Sequence, residues 1–287
     1  MERFLQRAAC LAVVLGFLTP PTMAAAVPTP IEIADDLYEK GNLFDAFLAY
    51  KTLAEEGNRE AQNKLGAMYR DAQGTERDYG EAMRWFRESA SRGDAKAFIN
   101  IGFLYGNGRG VPRDYEEEMR WIRRAAEALD PVGQYDLGVM IAEARRSRDF
   151  EAESATWIEK AAQQGYPPAL REMGSRYARG RGVARDDHAA YYCLFLSSLL
   201  GEKPGLLLSD AGRRLSKDQL SRIQKDAKSW VHQNAPFAEA NANVQSSTDT
   251  VAAADVPSAA PSSDSSPSPR ESSAPLPVDP TARPAGY

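Results

Sequence analysis

Along the middle of the chain apolar residues recur at intervals of three and four, and glycine-rich loops break the pattern at regular distances. This predicts pairs of amphipathic helices. Residues 97 to 126, AFINIGFLYGNGRGVPRDYEEEMRWIRRAA, show one such pair: a short helix, a glycine loop and a second helix. In the preceding copy Ala61, Leu65 and Tyr69 sit at i, i+4 and i+8, on one face of a first helix. Ala82, Trp85 or Phe86, and Ser89-Ala90 form the opposing face of the second.

Matching positions fall 36 residues apart. Trp85, Trp121, Trp157 and Cys193 form one column, and Gly66, Gly102, Gly138 and Gly174 another. Leu65, Ile101, Leu137 and Met173 form a third, and Tyr69, Tyr105, Ile141 and Tyr177 a fourth. Self-similarity at this period signals a solenoid. A glycine inside a helix costs about 1 kcal/mol relative to alanine, so its recurrence predicts a close approach by a neighbouring helix. The Trp is expected to fill space between units. Gly74, Gly110 and Gly182 are expected at positive φ, with Asp78, Asp114 and Asp186 capping the second helices and Gly93 and Gly165 ending them. One copy departs: Arg145-Arg146-Ser147-Arg148 replaces the loop glycines.

The predicted units are about 31–57, 61–93, 97–129, 133–165 and 169–200, the first of them shortened around Gly41-Asn42. Capping helices are expected over 203–233. There Ser216 and Gln219 have capping-box spacing, and Leu220, Ile223, Ala227 and Trp230 share one apolar face, as a lid on the last repeat requires. Residues 234–287 are rich in Pro, Ser and Ala and contain no Lys. They cannot bury enough apolar surface to offset ordering entropy and read as a disordered tail, passive or a tether.

The N-terminus is read as a signal peptide, residues 1–26. Arg3 and Arg7 precede the apolar run Cys10 to Leu18, then Pro20-Pro21 and the small residues Ala24-Ala25-Ala26. Cleavage is placed after Ala26 or Ala24. A retained anchor is the alternative, although the run is about half the length of a span. The mature chain is therefore expected in the periplasm or secreted, without membrane insertion, and as a monomer. Cys193 is then its lone cysteine, which excludes an intramolecular disulfide, and its place in the Trp column makes it a packing residue. The formal net charge of −5 and the interleaving of basic with acidic residues give no reason to expect nucleic acid.

The repeated unit A-x-x-x-L-G-x-x-Y-x-x-G-x-G-V-x-x-D-Y, then E-A-x-x-W-x-x-x-A, resembles the Sel-one-like repeat, a relative of the tetratricopeptide repeat. Ala97, Ile101-Gly102, Tyr105, Gly108, Gly110-Val111, Asp114-Tyr115, Trp121 and Ala125-Ala126 carry the match, which covers about residues 31–200. The resemblance implies an all-α, α/α solenoid of tandem helix-turn-helix repeats. It also implies a non-enzymatic protein–protein interaction role, in secreted members often as adaptors in envelope signalling or surface-polysaccharide production. One branch of the family is associated with penicillin binding and β-lactam hydrolysis, so a β-lactam or cell-wall hydrolase is the alternative. The paired cysteines of that branch are missing here.

No S-x-x-K, G-x-S-x-G or H-E-x-x-H set is present, and the two histidines, His188 and His232, lie in different units. No catalytic residue, metal or cofactor is therefore expected. The G-R-G-V loops follow a helix and not a strand, which removes a phosphate-binding reading. The candidate site is a surface. The tetratricopeptide analogy places first-helix positions 63, 67, 70 and 71, and their counterparts 36 residues on, along a concave side. The middle units present Ile99, Phe103, Tyr135 and Val139 there; the outer units present Asn63, Arg70, Asp71, Arg171 and Arg179. An apolar floor with a polar rim suits a segment of a partner protein. The alternative is burial of these apolar residues between units. A glycan ligand is a third reading.

Overall fold

A computed structural model describes residues 27–144, 148–203 and 205–234. The signal-peptide reading, most of the 234–287 tail and the Arg145-Arg146-Ser147 segment lie outside the described residues.

Twelve helices and no strand occur among the described residues. They are α1 (Pro30–Glu39), α2 (Leu43–Glu55), α3 (Arg59–Asp71), α4 (Tyr79–Ser91), α5 (Ala95–Asn107), α6 (Tyr115–Glu127), α7 (Pro131–Ala144), α8 (Arg148–Gln163), α9 (Pro167–Arg179), α10 (Asp187–Leu199), α11 (Leu206–Gly212) and α12 (Lys217–Gln233). From α1 to α11 each helix packs on the next, and α12 folds back onto α10. This is a tandem α/α solenoid. The fold class expected from the sequence is the one observed, and no described helix is long and apolar enough to cross a membrane.

Most helix starts in the regular array have a side-chain cause, whereas α2, α9 and α11 begin without a side-chain cap. Asp78 accepts from Glu81 N at 2.9 Å, Asp114 from Glu116 N and Glu117 N, and Asp186 from His188 N and Ala189 N. These bonds satisfy amides that the first helical turn leaves without a partner. The first helices begin two residues before the Ala61, Ala97 and Ala169 column, because a second capping column precedes them. Asn58 accepts from Ala61 N, Asp94 from Lys96 N and Asp130 from Gly133 N. Gly74, Gly110 and Gly182 have φ of +68°, +71° and +71°, as the loop pattern predicts. Leu129 stands where Gly57, Gly93, Gly165 and Gly201 end the other second helices, and it takes φ +63° regardless.

The glycine column lets the two helices of one unit meet. A Cβ on Gly66 would lie 2.7 Å from the Phe86 ring, one on Gly138 2.5 Å from Ile158 Cγ1, and one on Gly174 2.5 Å from Leu194 Cγ. The knobs against those glycines are Phe86, Ile122, Ile158 and Leu194, one residue past the Trp column, and all four are buried. The Trp column lies further out. Trp85 is buried in the first cluster with Phe47, Tyr50 and Leu65, whereas Trp121 and Trp157 are half-buried. Cys193 is likewise half-buried by residue area, and burial pushes its thiol up to about 12. It is an unreactive packing group at neutral pH.

The lid forms as its pattern predicts. Ser216 and Gln219 close a capping box, with Ser216 N donating to Gln219 Oε1 at 2.9 Å and Gln219 N to Ser216 Oγ at 3.2 Å. Ile223 and Ala227 are fully buried in α12, and Trp230 closes over Gly165 at the end of α8.

Candidate interaction surface

Repetition of one geometry puts residues 36 apart in matching places. Asn63, Ile99, Tyr135 and Arg171 form one row across the first helices; Ala67, Phe103, Val139 and Ser175 form the next. Ile99, Phe103, Tyr135 and Val139 are all half-buried: each packs on part of its surface and keeps part in solvent. Ile99 reaches two neighbouring clusters, and Tyr135 meets Tyr166 edge to face at 5.6 Å.

The N-terminal end of the surface is a polar network. Arg70 is only 7% exposed. Its Nε and Nη2 donate to the two Asp71 oxygens at 2.8 and 2.7 Å, and its Nη1 to Asn100 Oδ1 at 2.7 Å. Asn100 Nδ2 donates in turn to Asn63 Oδ1 at 2.9 Å, joining α3 to α5. The guanidinium also lies 5.5 Å from the Phe103 ring centre. Asn63, Arg70, Asp71 and Phe103 are thus brought together through Asn100. Arg70 presents no free charge here, because its fork is matched to a carboxylate and a ring. Arg171 and Arg179 are exposed at the other end. Arg171 Nε sits 3.1 Å from Glu202 Oε2, while Arg179, the counterpart of Asp71, is open to solvent.

Between the two ends lies an acidic group that the sequence reading did not name. Asp136, half-buried in α7, has its carboxyl pushed up to about 7 by burial first, with Asp130 and Glu118 adding repulsion. Burial also raises Asp130 and Glu118. The signal was its row: Lys64, Asn100, Asp136 and Glu172 are polar in every copy and adjoin the predicted one. A carboxyl raised in the folded state binds more protons there than in the unfolded chain. Its contribution therefore favours folding below pH 4 and is lost as pH rises through 7. Asp136→Asn should raise the melting temperature at pH 8 and have little effect at about pH 3.5. The gain at pH 8 is on the order of 1–2 kcal/mol, allowing for remaining solvent contact. Thermal unfolding at the two pH values checks this.

Arg176 is the second residue missed. It occupies the column of Met68, Leu104 and Met140, and it is 2% exposed. Its Nη1 lies 3.2 Å from Glu151 Oε2, its Nε 3.0 Å from Glu172 Oε1, and its Nη2 donates to Ser154 Oγ at 2.9 Å. It bolts α8 to α9 beneath the surface and offers nothing to a ligand. Among the described residues no group of three His, Cys, Asp or Glu side chains could hold a metal ion.

A tandem helical array with one face that varies from copy to copy defines a repeat scaffold, and comparison with known proteins assigns its type. Residues 59–94, 95–128, 131–166 and 167–202 each match the Sel1 repeat, and the chain belongs to that family. A Sel1 repeat protein from Oxalobacter formigenes superposes with a TM-score of 0.56 at 26% identity, over 70% of this chain and 86% of that one. A protective antigen of uropathogenic Escherichia coli strains, described as displaying an SLR fold, aligns at 17% identity over 82% and 65% of the two chains, with a TM-score of 0.38. An immunity protein from Pseudomonas aeruginosa aligns at 17% identity over 74% and 85%, with a TM-score of 0.43. No curated protein matches the chain. Sel1 repeat proteins are generally protein-interaction scaffolds and are typically not enzymes.

Proposed function

We propose that the mature protein is a periplasmic or secreted, non-enzymatic adaptor that binds a segment of a partner protein along the surface of its first helices, in a process of the cell envelope. The observation that carries this reading is the pair of adjacent rows Ile99–Tyr135 and Phe103–Val139. These four apolar side chains keep solvent contact in the middle of a face whose ends are polar. A buried apolar centre inside a polar rim is the usual anatomy of a recognition patch. The acidic Asp136 and Glu118 beside it favour a partner segment that is apolar with a basic residue. The N-terminal apolar run supports export.

Phe103→Glu combined with Tyr135→Glu should abolish partner capture from an envelope extract while the helical circular dichroism is retained. Capture undiminished by the double substitution would refute the surface assignment.

A further inference from the structure

Three of the four regular repeats carry an aromatic ring and a cation together at one place. Arg84 lies 4.0 Å from the Trp85 ring centre, Arg124 4.4 Å from Trp121, and Lys160 3.7 Å from Trp157. A cation over an indole face is attracted by the ring quadrupole. The last repeat has neither partner. Cys193 stands in the Trp column, Tyr192 matches Arg84, and Leu196 matches both Arg124 and Lys160.

The consequence is a hollow of about 480 Å³ between α8, α9, α10 and α12, within the ~300–1,000 Å³ range of small-molecule sites. Its walls correspond to those around Trp85. Ala54, Leu65 and Tyr69 share a cluster with Trp85, and their counterparts Ala162, Met173 and Tyr177 line the hollow beside Cys193. Trp230 of the lid forms a further wall and leaves the space open. By helical spacing, Met173 and Tyr177 face away from Arg171 and Arg179 on α9, so this place is separate from the interaction surface above. Glu159 is the one charged side chain that lines it, and Tyr177 Oη donates to Glu159 Oε1 at 3.3 Å. Lys160, the nearest basic residue in sequence, is spent on Trp157.

From this we infer that the hollow is a binding site for a small aromatic cation, an indole-sized ring carrying an ammonium group. The ring takes the space that Trp fills in the other repeats, against Cys193 and Trp230. The ammonium pairs with Glu159 and faces the Tyr177 and Tyr192 rings. Burial raises Tyr177, Tyr192 and Cys193, and the charges acting on them, Glu159, Asp186 and Asp226, are acidic, so the surroundings favour a positive ligand.

Isothermal titration of the mature full-length chain with three probes tests this: tryptamine, neutral indole and anionic indole-3-propionate. Tryptamine should bind one to one, and indole-3-propionate at least about tenfold more weakly. Cys193→Trp refills the place from within and should eliminate tryptamine binding, with a melting temperature at or above that of the unaltered chain. Glu159→Gln should remove the preference of tryptamine over indole. Where Cys193→Trp does not fold, Cys193→Phe serves the same purpose. No tryptamine binding by the unaltered chain, or equal binding by the refilled variant, overturns the assignment, as does equal affinity for the cation and the anion.

Discussion

Gly182→Ala is expected to cost about 3 kcal/mol or more of folding stability, against about 1–2 kcal/mol for Gly180→Ala two residues away. Both glycines adopt left-handed backbone, at φ +71° and +69°, so each alanine carries the steric cost of that conformation. What separates them is space. A Cβ on Gly182 would lie 2.2 Å from the Glu151 carbonyl oxygen and 2.7 Å from its carbon, both backbone atoms of α8. Backbone inside a helix cannot swing aside as a side-chain tip can, so the loop must lift off the preceding unit. A Cβ on Gly180 finds no atom nearer than 3.6 Å, on Arg185. Urea titration of both variants reads the difference. Equal losses would mean that the contact between this loop and α8 relaxes freely.

The second large effect belongs to Arg176. Arg176→Ala should destabilise the protein by about 3–5 kcal/mol, because it both strands the other members of a buried ionic set and leaves a cavity where the long side chain packed. Glu172 loses its guanidinium, Ser154 loses a donor, and Glu151 keeps only Arg181, whose Nη2 sits 2.8 Å away. Arg176→Met should cost less than half as much. Met68, Leu104 and Met140 occupy the same position in the other copies, so the site has the shape for an unbranched apolar chain. Ser154 also retains its own bond to the Gly138 carbonyl at 2.6 Å. Equal losses for alanine and methionine would assign the effect to ion pairing; a methionine variant at full stability would show that packing alone holds α8 on α9.

The two effects are unequally visible in the sequence. Gly182 announces itself through repetition, since Gly110 and Gly74 stand in register with it. Arg176 gives the opposite signal, a charge in an apolar column, and that signal does not say whether the side chain turns outward or stays inside with partners. Glu151 and Glu172 decide this, and they come from two different helices. The same holds on the interaction surface. Spacing placed Asn63, Arg70 and Asp71 along one stripe but could not show that Arg70 folds onto Asp71 and Asn100 and withdraws its charge from solvent. Asp136 escaped notice because a lone aspartate on a helix usually faces water; its raised carboxyl depends first on its burial and then on where Asp130 and Glu118 lie.

What the sequence determined by itself is the repeating part: helix pairs, their period, the capping aspartates, the positive-φ loop glycines and the lid. Each of these rests on interactions between residues near in sequence, or on a pattern that recurs every 36 residues and so can be read by alignment with itself. Tertiary structure alone decided which member of each near-tie is inside. Phe86, Ile122, Ile158 and Leu194 meet the glycines, and the more conspicuous Trp column one residue earlier lies further out. It also decided that replacing Trp by Cys193 leaves an open hollow. A helix rotates by about 100° per residue, so which of two adjacent apolar residues faces its neighbour is fixed by how the helices cross. That crossing depends on every contact along the pair at once.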